Sequence, residues 1–428
     1  MVRVPASKSL AQRALMVATL THGKTRLVGI SRVGSCADTS AALDVSLALG
    51  AEHDWVAPSA VTVTGKAPGH HGGLLAQRAL EVGESGTLGR LATAVAGLCG
   101  QGQLEVRASG SLLDRSSPAL FAALERSGVS VKRPAGARPG GWPVTLRARG
   151  PEPDLFLDHP RSSQELSALF LAAAAYPDAI QVHVEGPVPS LPYVHLTTGL
   201  LARFGVQVKA VQPRTQACKS YEVRGILTPP ETPLAIESDA SAAAVALAAG
   251  AIRGCDLRVP GDFLDSLQGD LEIVRHLQAF GVDAGLDAGG LWTRGAVQSG
   301  AAVDLRDAPD LAPPLLAVAV AASLRCGSTS LFTGLETLVH KETDRLRCLA
   351  TGARAVGVEV EADAQRGILR VGLPSTEPVG DVLLDPENDH RMAFAFALLG
   401  LAREGVKVQA GEVVAKSWPT FWADMSPE

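Results

Sequence analysis

Nine residues near the start of the chain, Pro5–Arg13 (PASKSLAQR), bring together the groups that bind an anion. Ser7 is an N-capping residue type, so Lys8 and Ser9 fall in a first helical turn whose backbone N–H groups have no intrahelical partner. Arg13 follows Ser9 by four residues and returns to the same face one turn later. Free amides at a positive dipole end, a lysine, an arginine and a hydroxyl together make a seat for phosphate or carboxylate. A single instance reads more readily as a capped surface helix. What favours the anion seat is that the chain repeats it.

GESGTLGR (Gly83–Arg90) opens a second such helix, and Arg115 stands in LLDRSSP before another. RSSQEL supplies Ser162, Ser163 and Gln164, and SLPY supplies Ser190 and Tyr193. Further on come Asp310 in PDLAP and then HKETDRL, where the spacing predicts Lys341 and Arg345 on one helical face with Glu342 beside them. ENDHRM carries His390 and Arg391, and Lys416 in AKSWP is expected at the start of a last helix. If these N-termini converge, their dipoles and cations form one anion-binding cleft. Taken singly, Arg115, Arg345 and Arg391 read as ordinary ion-pair partners, Ser162–Gln164 as a cap and Asp389–His390 as a capping pair. Gly83, Gly86 and Gly89 are a weak nucleotide signal, and Gly23–Thr25 lacks the upstream glycine of a P-loop. No His/Cys/Asp set has metal spacing, and no Ser–His–Asp signature occurs.

The elements that must position these residues form an internal repeat. Six segments share a small or polar start, an Ala/Leu-rich helix, a Gly turn and a β-branched strand: Ser7–Ile30, Ser85–Val106, Ser162–Val184, Asp239–Val259, Asp307–Phe332 and Asp389–Val408. A second amphipathic helix follows each of the first five and ends at Gly50, Gly128, Gly205, Gly281 and Gly357, where a left-handed C-cap residue is expected. The chain thus reads as six helix–strand–helix–strand modules, and six such units suit two domains of three. The Pro-rich stretch Leu227–Pro233 marks the expected crossing, and Ala135–Pro153 reads as a loop.

With 428 residues, 46% of them hydrophobic, the chain can bury large cores, and a net charge of −5 argues against a nucleic-acid surface. Nine lysines against thirty arginines make a lysine inside a motif informative. Six scattered cysteines without a CxxC pair fit reduced thiols in a cytosolic protein. No apolar run spans a bilayer, and Ala14–Leu20 is too short for a signal peptide. A cytoplasmic protein without membrane partners is the expectation.

The ordered set PASKSLAQRAL, ESGT-x₂-R, DRSSP, RSSQ-x-LSAL, SLPY, SDASAAA, PDLAP, HKETDRL, NDHRMAFAFAL and AKSWP resembles the 5-enolpyruvylshikimate-3-phosphate (EPSP) synthase family of the enolpyruvyl transferase superfamily. The resemblance covers nearly the whole chain. It implies an α/β, two-domain enolpyruvyl transferase fold, each domain three βαβαββ repeats around buried parallel helices, an inside-out α/β barrel. The boundaries implied are 7–235 for the first domain and 1–6 with 236–428 for the second. It also implies transfer of the enolpyruvyl group of phosphoenolpyruvate to the 5-hydroxyl of shikimate-3-phosphate through a tetrahedral intermediate, with no metal or cofactor.

By the same resemblance, Lys8, Ser9, Arg13, Ser162, Ser163, Gln164, Ser190, Tyr193, Asp310 and Lys341 would hold shikimate-3-phosphate. Lys8, Gly86, Arg115, Gln164, Arg345, Arg391 and Lys416 would hold phosphoenolpyruvate. Asp310 would act as base, with Glu342 and Lys8 as the protonating groups. A monomer closing over its two substrates is expected, and Gly86 implies sensitivity to glyphosate.

Departures from the family pattern are Ala6 and Ser238 for glycines, Thr337–His340 before KETDR, and Glu84 for asparagine, whose carboxylate is expected to repel an anionic substrate. The resemblance implies a start about fourteen residues later than the family's, with most of a first strand expected to be missing. Two other readings are a non-catalytic binder of phosphorylated metabolites and transfer to UDP-N-acetylglucosamine. The latter expects Lys-Asn and a mid-domain Cys, where this chain has Lys8-Ser9 and no Cys between 100 and 217.

Overall fold

Helices that carry Ala, Leu, Val and Gly on every side have no polar stripe to offer water, and this chain buries them. The computed structural model describes residues 1–66, 79–150, 152–213, 218–375 and 380–425, which form two compact units, Lys8–Ile236 and Met1–Ser7 with Glu237–Glu428.

The unit Lys8–Ile236 starts with α1 (Lys8–Leu20), β1 (Gly23–Val28), α2 (Ala37–Ala48), β2 (Glu52–Ala57) and β3 (Ala60–Gly65). Its second copy is β4 (Leu80–Glu81), α3 (Gly86–Cys99), β5 (Gln103–Arg107), α4 (Pro118–Arg126), β6 (Ser130–Lys132) and β7 (Val144–Arg147). The third is β8 (Asp154–Asp158), α5 (Ser163–Ala173), β9 (Ile180–Glu185), α6 (Leu191–Arg203), β10 (Val206–Val211) and β11 (Cys218–Gly225). β12 (Leu234–Ala235) then pairs in parallel with β1 and completes the first sheet. The three sheets have one order, β12-β1-β3-β2, β4-β5-β7-β6 and β8-β9-β11-β10. Inside them α1 is buried from Leu10 to Leu20, α3 everywhere but Thr87, and α5 from Glu165 to Ala173.

The other unit repeats the plan with α7 (Ala240–Arg253), β13 (Leu257–Val259), α8 (Ile273–Ala279), β14 (Asp283–Asp287) and β15 (Gly290–Arg294). Next come β16 (Ala302–Asp304), α9 (Ala312–Cys326), β17 (Ser330–Thr333), α10 (Arg345–Ala355), β18 (Val358–Asp363) and β19 (Ile368–Pro374). The last copy is β20 (Val382–Leu384), α11 (His390–Ala402), β21 (Val406–Val408) and α12 (Phe421–Met425). Among the described residues of this unit only β16-β17-β19-β18 has the four-strand order; β13-β15-β14 has three strands, with the Val2 amide donating to the Arg258 carbonyl at 3.0 Å. The last copy covers α11 with aromatic rings, Phe394 on Phe421 at 4.7 Å and Trp418 on Phe421 at 5.3 Å. α7, α9 and α11 share one apolar core. Pro313 and Pro314 fall in the first turn of α9, where no intrahelical bond is lost.

The five glycines expected at helix ends all have positive φ, from +76° at Gly281 to +94° at Gly50. The stretch read as a loop at 135–153 instead contains β7, because Val144 and Leu146 alternate inward with polar neighbours. Leu227–Pro233 leads into β12 inside the unit Lys8–Ile236. Where the units part, Ser7 donates to the Glu237 carbonyl and Asp239 to that of Pro5, both at 2.8 Å, so that Ala6 and Ser238 face each other. Among the described residues no helix is long and apolar enough to cross a membrane.

Burial sets the stability scale. Leu316 in α9 is 0% exposed and Leu47 on α2 is 38% exposed. Leu316→Ala is expected to cost about 2–5 kcal/mol in chemical denaturation and Leu47→Ala under about 0.5 kcal/mol. Equal losses would contradict the central position of α9.

Candidate active site

Each unit carries part of the residue set predicted from sequence. In Lys8–Ile236 the anion-seat residues stand where helices begin: Lys8 is the first residue of α1, Gly86 of α3 and Ser163 of α5, while Ser190 precedes α6. Three contacts draw these starts together. Arg13 Nε donates to Thr197 Oγ1 of α6 at 2.8 Å, Ser85 Oγ to Gln12 Oε1 of α1 at 3.2 Å, and Arg90 Nη1 to Gln164 Oε1 of α5 at 2.7 Å.

Lys8 Nζ lies 3.0 Å from Asp38 in the first turn of α2. Arg13 donates from Nη1 to the Ser9 carbonyl at 2.8 Å, and its buried Nη2 has no hydrogen-bond partner among the described residues. Burial pulls the Arg13 pKa down to about 10, with the Tyr193 hydroxyl pulling the other way. A buried guanidinium with an unused N–H favours an incoming anion. Ser162 caps α5 through the Gln164 amide at 3.2 Å, and Glu165 reaches back to the Ser162 amide at 3.2 Å, a complete capping box. Ser190 has φ +55°, and its carbonyl accepts the Tyr193 amide at 3.2 Å. Arg90 also donates to the carbonyls of Gly86 at 2.9 Å and Ser116 at 3.4 Å. A Cβ built at Gly86 would stand 2.7 Å from Arg115 Nη2 and 2.8 Å from Arg90 Nη1, so the bare glycine lets both guanidinium groups lie close to its backbone.

In the other unit a dense ion network holds the remaining residues. Arg345 clasps Asp389 with Nε at 2.7 Å and Nη2 at 3.1 Å, reaches Asp310 at 2.8 Å and Glu342 at 2.7 Å. Asp310 also meets Lys341 at 3.2 Å and Arg391 at 3.5 Å, and Lys416 lies 3.7 Å from Glu342. Arg391 donates further to the Asp310 carbonyl and to Ser241 Oγ, each at 3.2 Å, and Ser241 Oγ donates to buried Asp270. Burial opposes the charge on Arg345, but Asp389, Glu342 and Asp310 outweigh it and hold the group firmly cationic. Burial likewise works against the Asp310 carboxylate, yet Arg391, Lys341 and Arg345 hold it well below the usual carboxylate range. Burial lowers Lys341, with Asp310 resisting.

Two positional expectations change. Residues 341–343 are not helical, so Lys341 and Arg345 meet on Asp310 through a turn that ends at the Asp344 N-cap. Lys416 ends the 3₁₀ turn Gly411–Lys416 and does not start a helix, because Trp418 folds back to donate its amide to the Val414 carbonyl. Reading motifs missed Asp38, Arg90, Thr197, Ser241 and Asp270 as partners. Arg90 and Ser241 lie inside quoted motifs, and that signal was available.

Asp389 both caps α11, accepting the Arg391 amide at 2.9 Å, and matches Arg345. Asp389→Asn keeps the cap and removes the charge, so a loss of about 3 kcal/mol in unfolding free energy is expected. A second expectation concerns pH. Because the folded pKa of Asp310 lies below its unfolded value of about 3.9, its stabilisation is complete above that value and lost as pH falls further. The Tm gap between the wild type and Asp310→Asn should therefore shrink from pH about 6 towards about 2.

A family model described as EPSP synthase (3-phosphoshikimate 1-carboxyvinyltransferase) matches residues 1–425. Curated relatives named 3-phosphoshikimate 1-carboxyvinyltransferase include that of Shewanella loihica, 31% identical over 99% of this chain and 96% of its own length. That of Methanopyrus kandleri is 34% identical, covering 99% and 94%. A solved EPSP synthase from Acinetobacter baumannii superposes with TM-score 0.73 at 24% identity, covering 99% of this chain and 94% of its own. The enolpyruvyl transferase NikO from Streptomyces tendae gives 0.71 at 16% identity, covering 99% and 93%. The two solved structures share the fold.

Proposed function

The chain belongs to the EPSP synthase family, and from that premise we propose which of its residues carry the reaction. Its activity is that of a 3-phosphoshikimate 1-carboxyvinyltransferase: the enolpyruvyl group of phosphoenolpyruvate moves to the 5-hydroxyl of shikimate-3-phosphate and phosphate is released, within the shikimate pathway.

The observation that carries the assignment is Asp310 held among Lys341, Arg345 and Arg391. In our reading Asp310 takes the proton of the 5-hydroxyl as that oxygen attacks C2 of phosphoenolpyruvate, while Glu342 or Lys8 protonates C3. The tetrahedral intermediate then loses phosphate from C2 and a proton from C3, which restores the enol ether. A carboxylate pressed by three cations is a weak base. A phosphate and a carboxylate arriving at Arg345 and Arg391 divert those cations and raise the basicity of Asp310 as substrate binds.

Shikimate-3-phosphate is assigned to Lys8, Ser9, Arg13, Ser162, Ser163, Gln164, Ser190, Tyr193, Asp310 and Lys341. The buried Nη2 of Arg13 and the helix-start hydroxyls support it. Phosphoenolpyruvate is assigned to Lys8, Gly86, Arg115, Gln164, Arg345, Arg391 and Lys416, whose cations stabilise charge on the departing phosphate. A monomeric state and a cytoplasmic location belong to the same proposal.

Phosphate release on mixing both substrates tests it beside Asp310→Ala. The variant is expected to lose about 10³-fold in kcat, within the range of a general base, while shikimate-3-phosphate binds more weakly but still detectably through the other assigned residues. Undiminished turnover in the variant would remove Asp310 from the base role.

A further inference from the structure

Glu84 lies outside the residues assigned above, in the turn leading into α3 and two positions before Gly86. Its Oε2 accepts from the Ser111 hydroxyl at 2.9 Å and from the Ser111 amide at 3.3 Å. Next to that contact the Ser109 amide donates to the Gly83 carbonyl at 3.0 Å. Gly110, between them, has φ +50°, and a Cβ there would stand 2.3 Å from Glu84 Cδ, so the carboxylate group fills the space over this glycine.

Gly110–Asp114 forms a 3₁₀ turn, closed where the Arg115 amide donates to the Leu112 carbonyl at 3.2 Å. The guanidinium of Arg115 then comes to rest over Gly86. One five-residue turn therefore has its near end tied to residues 83–84 and its far end delivering Arg115 to residue 86. A 3₁₀ turn is tight, and a shift at its start is carried to its end.

We infer that Glu84 is a positioning residue: its hydrogen bonds to Ser111 anchor the turn and so fix where the Arg115 guanidinium stands. The inference rests on the reading that Arg115 holds phosphoenolpyruvate. It predicts the opposite sign to direct repulsion, in which a carboxylate near an anionic substrate weakens binding and its removal improves it.

Steady-state phosphate release separates the two. Glu84→Ala and Ser111→Ala should each raise KM for phosphoenolpyruvate about fivefold or more, with kcat changed less than about twofold and KM for shikimate-3-phosphate unmoved. Glu84→Gln keeps an acceptor oxygen and should recover most of the affinity. A lower phosphoenolpyruvate KM in Glu84→Ala would overturn the inference in favour of repulsion. Equal rises for both substrates together with a lowered Tm would reduce Glu84 to a general structural part. Arg115→Lys is the control. If it raises the phosphoenolpyruvate KM while Glu84→Ala does not, the tether fails alone; if neither moves it, the assignment of Arg115 fails and takes the tether with it.

Discussion

A guanidinium withdrawn from water must be matched by charge, and Arg345 is matched by three carboxylates from three separate stretches of chain. Asp310 comes from the turn before α9, Glu342 from the segment before α10, and Asp389 from the N-cap of α11. One cation thereby pins the starts of α10 and α11 to the turn before α9. Asp389 sits at the hub because one of its oxygens also caps α11. Lys341 and Arg391 border Asp310, and Lys416 borders Glu342, so the same carboxylates are shared among four cations.

Arg13 shows the complementary solution. It is just as buried, yet among the described residues its guanidinium donates only to a hydroxyl and a carbonyl, and Nη2 has no hydrogen-bond partner. A matched guanidinium holds structure together, whereas an unmatched one invites a ligand. The two units of the chain use these two devices on a common scaffold: apolar central helices whose N-termini carry the polar groups. The apolar bodies of those helices supply the burial energy, which leaves their ends free for chemistry.

Three of the departures from the family pattern are local and have partners. Ala6 and Ser238, each replacing a glycine, face one another in a single antiparallel bridge. Glu84 has a hydroxyl and an amide at Ser111 to receive its carboxylate, and the glycine beside that serine gives it space. A substitution read as an electrostatic fault in isolation has a partner once the turn at 109–111 folds against it.

What residue order alone determined is whatever depends on near neighbours. The repeat, the polar helix starts at Ser85, Ser162, Asp239 and Asp389 and the positive-φ glycines all depend on near neighbours, so they are legible in the string. The strand β7 was hidden by flanking Gly, Pro and Arg, whose turn chemistry masked a short inward alternation. The partners of the buried charges were decided by tertiary structure. Asp38 is 30 residues from Lys8, Asp389 is 44 from Arg345, Gln164 is 74 from Arg90 and Thr197 is 184 from Arg13. A buried ion takes whichever counter-group the packing of whole helices delivers within about 3 Å, and no local periodicity encodes that choice.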